Sequence, residues 1–382
     1  MLNLNPERRI RTLLEEAGIE INGHKPSDIH VHNSKFYGRI LAGGSLALGE
    51  SYMDGWWDCK KLDVFFTKLL QSRIQDKVQR DPKTILAALQ ARIFNSQHGR
   101  KAFQIGERHY DMGNKLFEAM LGPTMAYSCA FWDGATNLNQ AQTNKLNHSI
   151  KKLHSKPGMT LLDIGSGWGS LQRQAARFYD LKTTGITVSR EQEAWSNRKN
   201  ALYHLGDRAK VKYQRWQDLP NDKRYDRIIS IGAFEHFGYK NYRAFFEKVQ
   251  SIMKDDGIFL LHTIGGLKSV HANEPWLENY IFPNSMLPSM EQIDKASAGN
   301  LTKRHVENKG FDYDPTLMAW YANLMRHWDE INASDPQNYD ERFLRMMTYY
   351  LLSCAGTFRS GINQVWQIVY TKDPNLEYQH AT

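Results

Sequence analysis

The sequence predicts an α/β protein, a doubly wound parallel sheet with a smaller α-rich domain ahead of it, and three observations carry that prediction. Residues 160–169, TLLDIGSGWG, form an apolar run that ends in Asp163 and then in glycines at 165, 167 and 169. That is the pattern of a buried strand, a tight turn and a helix start. From there, strand and helix patterns alternate to about residue 263, which requires parallel strands joined by crossover helices. Finally, the side chains capable of chemistry fall where strands end, the edge at which such a sheet binds its ligand.

Taken in order, residues 6–17 set Ile10, Leu13 and Leu14 among arginines and stop at Gly18, the signature of a short amphipathic helix. Residues 19–21 and 29–31 alternate and are bounded by turns, as short strands do. The stretch 43–59, GGSLALGESYMDGWWDC, reads as an aromatic loop, and Leu62, Phe65, Phe66, Leu69 and Leu70 continue as a helix. A second helix is expected over 82–95. Residues 1–95 are therefore expected to form the α-rich domain, and 96–382 the sheet-bearing one. The segment 95–113 breaks the pattern and is the expected linker. Arg92, Arg100, Lys101 and Arg108 in and beside it suit anionic head groups, at ~1 kcal/mol each near a charged leaflet, or simply a solvated face.

Residues 115–121 make a helical turn or two, 125–134 an aromatic loop and 139–153 a helix leading into the glycine turn. Helices are expected at 170–178, 190–204 and 240–253, and strands at 182–188, 209–213, 227–231 and 257–263. Beyond Gly265 the order becomes irregular, with Pro275, Pro283 and Pro288 in a loop, helices near 315–332 and 339–355, and a final strand at 365–370 placed at the sheet edge. The glycine turn departs from the dinucleotide fingerprint. A ribose-binding acid belongs about 20 residues on, at the next strand's tip, where this chain has Ser189 and Arg190.

At 382 residues a substantial core is possible, and the net charge of +8 suggests an anionic partner such as a membrane surface, nucleic acid or an acidic substrate. Cys59, Cys129 and Cys354 are three in number and far apart, which supports neither a disulfide framework nor a zinc site and fits reduced thiols in the cytosol. The N-terminus carries charges where a signal peptide needs an apolar core, and no run reaches the ~18 apolar residues of a membrane span. A membrane role would place the protein on the bilayer.

Glu235 and His236 stand at the end of the fourth strand and His262 at the end of the fifth. A histidine in an apolar strand is also a common hydrogen-bonded core residue, but convergence with Glu235 from the adjacent strand end favours a site. Cys129, Cys354 and Tyr321 read by themselves as packing residues.

The motifs HYDMGNKLF (109–117), YSCAFW (127–132), DIGSGWG (163–169), GAFEHFG (232–238), LLHTIG (260–265), FPN (282–284), LMAWY (317–321) and YYLLSCAGTFR (349–359) occur in this order. Together with GSLALGESYMDGWWD (44–58), they resemble the cyclopropane-fatty-acyl-phospholipid synthase family, in its bacterial phospholipid-acting form. The resemblance implies a class I S-adenosylmethionine-dependent methyltransferase fold, Rossmann-like. It implies methylene transfer to the cis double bond of an acyl chain in a membrane phospholipid, by an enzyme lying peripherally on the inner membrane surface in the cytoplasm. The expected partners are unsaturated phospholipids, an anionic membrane surface and a second copy in a homodimer, with no nucleic acid and no metal.

Carried over, Tyr127, Ser128, Asp163, Gly165, Gly167, Trp168 and Gly169 would contact the cofactor. Thr187 and Gln192 would take the ribose in place of the missing acid, and Trp216 and Gln217 would flank the adenine. Cys129, Glu235, His262, Tyr321 and the backbone at Ile264 would hold a bicarbonate ion, and Cys354 is the residue the family marks as active. Ser166 departs from the Cys common in relatives. Such chemistry needs a sulfonium held in line with a weak nucleophile, and a base within reach of the new methyl in a site free of bulk water. It needs no acyl-enzyme, so Cys354 reads as a pocket-lining residue. The competing expectations are an ordinary methyltransferase on another lipid or small molecule, and a non-catalytic binding module.

Overall fold

The computed structural model describes residues 6–73, 113–222 and 224–379. The helix expected over 82–95, and the linker apart from Gly113, lie outside the described residues. By compactness the chain divides into one unit of Met1–Phe94, Ala272–Pro283 and Tyr313–Asn363 and another of Asn95–His271, Asn284–Asp312 and Gln364–Thr382. The helices after residue 313, expected with the sheet, thus group with the N-terminal segment.

The first unit opens with α1 (Pro6–Glu16), β1 (Ile29–Val31), α2 (Phe36–Met53), β2 (Trp57–Cys59) and α3 (Leu62–Gln71). β1 and β2 pair antiparallel, and the strand expected at 19–21 shrinks to a single bridge, Ile21 to Ile29. The aromatic loop expected at 43–59 is mostly helix. α2 breaks at Gly44 (φ 58°, ψ −139°) and then continues, because the glycines that mimic a loop signal serve packing instead. A Cβ on Gly49 would lie 2.4 Å from Cδ1 of Trp276. Trp276 belongs to α9 (Pro275–Tyr280), and α11 (Tyr313–Arg326), α12 (Trp328–Ser334) and α13 (Glu341–Arg359) complete the unit. The single helix expected over 315–332 is broken at His327 (φ −105°, ψ 11°). Arg359 ties α13 to Asp314 (2.7 and 2.8 Å) and Asp63 (2.6 Å).

The second unit carries α4 (Asn114–Leu121), α5 (Leu138–Lys151), β3 (Thr160–Ile164), α6 (Ser170–Phe178), β4 (Lys182–Thr187), α7 (Arg190–Leu202), β5 (Ala209–Tyr213) and β6 (Tyr225–Ile231). It continues with α8 (Tyr242–Ile252), β7 (Met253–Gly266), α10 (Met290–Ser297), β8 (Thr302–Asn308) and β9 (Asn363–Thr371). The seven strands run in the order β5-β4-β3-β6-β7-β9-β8. β3 to β7 pair in parallel, and β8 pairs antiparallel with β9. Side chains alternate across the sheet: Leu162, Ile228, Phe259 and Ile368 pack on one face with Phe245 and Phe246 of α8. Leu161, Ile229, Leu260 and Val369 pack on the other with Leu146 and Ile150 of α5. β9 is internal, not at the edge. The edge is β8, whose sequence TKRHVEN is charged and partly exposed, a common defence of an edge strand that hides the apolar period. α10 starts in a capping box of Ser289 and Gln292.

Gly49→Val drives methyls into the Trp276 ring and is expected to cost about 1–3 kcal/mol. A urea titration followed by tryptophan fluorescence reads this as a lowered midpoint, and a midpoint equal to wild type contradicts the packing account.

Candidate active site

β3 ends in a turn that returns the chain into α6. At its start Gly165 takes φ 83°, and a Cβ there would stand 2.3 Å from the Cβ of Ala233. The Gly165 and Ser166 N–H groups both donate to the Ile186 carbonyl, at 3.0 and 2.9 Å, tying the turn to β4. Gly167, at φ 53°, has nothing within 4 Å of its Cβ position, so its backbone is open to a ligand. The turn borders a cavity of about 150 Å³ at the carboxyl ends of the strands. Tyr127, Ser128, Asp163, Gly165, Gly167, Trp168, Thr187, Gln192, Trp216 and Gln217 all line it. Gly169 does not. It is the left-handed N-cap of α6 (φ 73°, ψ 23°), and its role is to start the helix.

The floor of the cavity is polar and buried. Asp163 accepts from Gln172 Nε2 at 2.9 Å, and its Oδ1 has no partner among the described residues. Burial pushes this carboxyl up to about 7, against the pull of Lys145. Lys145 is buried on α5 and donates to Ser128 Oγ at 2.9 Å. Burial pushes its ammonium down to about 8, against the raising influence of Cys129 and Asp163. Thr187 Oγ1 donates to Gln192 Oε1 at 2.6 Å, which leaves the Gln192 NH₂ to donate to a ligand. Trp216 is held between Phe237 and Phe245 (5.7 and 5.5 Å), and Gln217 Oε1 is a buried acceptor without a partner among the described residues. Open backbone, an aromatic wall and orphaned acceptors fit a polar ligand with a flat ring and hydrogen-bond donors, as S-adenosylmethionine has.

Past β6, Ala233 and His236 line the cavity and Glu235 lies buried between them in sequence. Glu235 Oε1 accepts the Ile264 N–H at 2.5 Å, while Oε2 has no partner among the described residues. Burial raises this carboxyl to about 7. The Ile264 amide, expected to hold an anion, is thus spent on Glu235, whose carboxyl takes the nearer claim on the donor. On the adjacent strand His262 is buried and stacked with Phe131 (6.1 Å, 19°). Burial and the charges of Lys145 and Lys152 hold His262 well below the usual histidine range. Cys129 is buried, its Sγ donating to the Ala130 and Lys309 carbonyls at 3.3 and 3.7 Å. A buried carboxyl with an unsatisfied oxygen and a buried neutral histidine on the adjacent strand offer the acceptor and donor that a small hydroxyl-bearing anion such as bicarbonate would need.

Tyr321 and Cys354 lie in the other unit. Tyr321 is half-buried on α11 and raised by burial, with Thr348 as hydrogen-bond partner. Cys354 is half-buried on α13, and burial pushes its thiol up to about 12. Sequence reasoning missed Lys145, Lys152 and Gln367. The helical spacing of Ala141, Lys145, Ser149 and Lys152 with Leu146 and Ile150 puts both lysines on the apolar face, which was the available signal.

A family model described as mycolic acid cyclopropane synthetase matches residues 97–368. The chain is 47% identical over 360 residues to the cyclopropane-fatty-acyl-phospholipid synthase of Escherichia coli K12, covering 94% of this chain and 92% of that one. Among solved structures, the cyclopropane synthase MmaA2 from Mycobacterium tuberculosis superposes with a TM-score of 0.64 at 33% identity, over 71% of this chain and 98% of that one. Mycolic acid cyclopropane synthase CmaA1, complexed with SAH and CTAB, gives 0.65 at 34%, with coverages of 71% and 98%. The expected class I methyltransferase fold is the one observed.

Gly165→Ala imposes both a positive φ and a clash with Ala233. Calorimetric titration with S-adenosylhomocysteine is expected to show affinity at least about tenfold weaker, the equivalent of 1.4 kcal/mol. Affinity within twofold of wild type contradicts the close-approach reading of the turn.

Proposed function

The chain belongs to the mycolic acid cyclopropane synthetase family, and from that premise we propose that it transfers a methylene group from S-adenosylmethionine to the cis double bond of an unsaturated phospholipid acyl chain. The observation that carries this reading is the pairing of two features in one sheet edge. A cavity with an open glycine backbone and an aromatic wall lies close in sequence to a buried carboxyl with an unsatisfied oxygen.

When bound, S-adenosylmethionine supplies an electrophilic methyl and bicarbonate a small basic anion. The chain's residues do the rest. Gly167, Ser128 and the Gln192 amide orient the donor, Trp216 and Gln217 bracket its ring, and Tyr127 and Trp168 wall the cavity. With the site filled by both substrates, water that would trap the cation left on the alkylated chain would be excluded. Glu235 Oε2, ionised, accepts the anion's hydroxyl, and His262 donates to it from the neighbouring strand. Cys129 and Ile264 complete the proposed anion set within this unit, Ile264 only by yielding its bond to Glu235. Cys354 is a pocket-lining thiol, since a group held near 12 carries almost no thiolate at neutral pH. The basic balance of +8 over the whole chain suits an anionic membrane surface, and residues 1–95 are proposed as the segment that docks on it. A homodimer is the assembly proposed.

Incubation with S-adenosylmethionine and vesicles of cis-unsaturated phospholipid is expected to add one methylene per double bond, with ring protons visible by NMR. A methyl branch, or a methylated heteroatom, would point instead to an ordinary methyltransferase. Glu235→Gln should bind S-adenosylhomocysteine within twofold of wild type and form rings about 10²-fold more slowly. Because its carboxyl sits near 7, wild-type turnover at fixed bicarbonate should rise as pH climbs through about 7, and the Gln variant should lack that limb. The same raised carboxyl favours folding below its unfolded pKa and loses that stabilisation as pH rises through about 7. Wild-type rates in Glu235→Gln remove the residue from the mechanism.

Cys354→Ser should keep at least about a third of the turnover, since no covalent step passes through it. Complete loss in a folded, cofactor-binding variant refutes the pocket-lining assignment.

A further inference from the structure

His262 meets the protein through a chain of hydrogen bonds in which each amide and hydroxyl proton has an assigned place. Lys152 Nζ, at the C-cap of α5, donates to Oε1 of Gln367 on β9 at 2.9 Å, and also to the Glu307 carboxylate. An ammonium only donates, so the Gln367 amide is held oxygen towards Lys152 and NH₂ away from it. Ser149 Oγ donates its single proton to the Lys145 carbonyl at 2.7 Å, so its contact with Gln367 Nε2, at 2.8 Å, must be one in which it accepts. One Gln367 N–H is used there. The other meets His262 Nδ1 at 3.2 Å. Gln367, Lys152, Ser149 and His262 are all buried, so solvent offers no competing partner.

We propose that Gln367, clamped between Lys152 and Ser149, is a positioning residue that fixes His262 as the neutral tautomer with its proton on Nε2, so that this histidine serves the reaction as a hydrogen-bond donor and not as the base. Nδ1 accepts from Gln367, which leaves the imidazole proton on Nε2. Nε2 is then the ring's donor, available to a small anion. Glu307, which anchors Lys152, is itself held by His148 (2.7 Å) and Lys309 (3.1 Å), so the clamp reaches back to an ion cluster at the β8 edge. The inference rests on the reading that His262 and Glu235 share a bound anion, but the tautomer it assigns is observable without any turnover.

The full-length protein, labelled with ¹⁵N-histidine, is examined by NMR through the two-bond couplings that distinguish Nδ1 from Nε2. The wild type is expected to show His262 protonated at Nε2 and unprotonated at Nδ1, unchanged between pH 6 and pH 8. A proton on Nδ1 overturns the proposal. In Gln367→Leu the tautomer preference should be lost. The bicarbonate concentration for half-maximal turnover, in buffer stripped of carbon dioxide, should rise at least about tenfold, the scale of one hydrogen bond to a charged group. Binding of S-adenosylhomocysteine should stay within twofold. If the Leu variant does not fold, Lys152→Met serves, because it leaves Gln367 in place but releases the amide to flip, and the same loss of tautomer preference is expected. A variant that keeps both the wild-type tautomer and the wild-type bicarbonate requirement overturns the assignment. Loss of the tautomer with no bicarbonate requirement in either protein upholds the clamp and instead removes the shared-anion reading.

Discussion

Helix α5 carries Lys145 and Lys152 about two turns apart on the face it packs against the sheet, and both are buried. A buried ammonium is costly unless it is paired and hydrogen-bonded, and the two lysines meet that demand in opposite ways. Lys152 has a carboxylate, Glu307, and an amide oxygen, Gln367 Oε1. Lys145 has a hydroxyl, Ser128 Oγ, and the fields of Cys129 and Asp163 but no carboxylate hydrogen bond. Lys145 and Asp163 therefore shift towards one another, to about 8 and about 7, because shared burial outweighs their attraction. Lys145 faces Asp163 beneath the cavity, and both lysines act on His262. A single helix face thus couples the electrostatics of Asp163 and His262.

The consequence for the proposed acid–base groups is that little fixed charge stands among them. His262 is kept neutral by burial and by both ammonium groups, and Glu235 is held near the midpoint of its titration. A site that stabilises a passing cation by a fixed carboxylate alone would trap it. One that holds a neutral donor and a half-titrated carboxyl can accept a proton without doing so. The stacked Phe131, which also carries Lys309 over its ring at 5.2 Å, closes one side of the histidine to water.

The parts of this arrangement visible in the sequence are those in which backbone geometry and residue type agree. The apolar run before Asp163, the glycines at 165 and 167 and the acid and histidine at successive strand ends all announce themselves, because a tight turn and a buried strand leave few alternatives. Where one residue serves two purposes the signal fails. Gly49 looks like a loop residue, yet it lies inside α2 to admit the Trp276 ring. β8 looks like a charged loop since an exposed edge masks its alternation. Gln367 sits in WQIVY, an unbroken strand pattern in which a polar residue gives no hint that Lys152 and Ser149, more than 200 residues earlier, fix both ends of its amide. Ile264 is the converse case, a backbone donor named for one partner and taken by another.

The titratable groups also decide which side chain can receive a proton near neutral pH. Cys354 is held near 12 and Tyr321 lies above the ordinary phenol range, so both stay protonated and neither acts as a base. His262 is pushed the other way, and its Nδ1 lone pair is already taken by Gln367. The two carboxyls near 7 remain, and their surroundings separate them. Asp163 lies beneath the glycine turn, engaged by Gln172 and facing Lys145, whereas Glu235 keeps Oε2 unsatisfied after giving Oε1 to the Ile264 amide. A carboxyl fixed by one oxygen and open at the other is oriented and still able to bond, which is what a proton acceptor working through a small anion requires. Glu235 meets both conditions and Asp163 meets only the first.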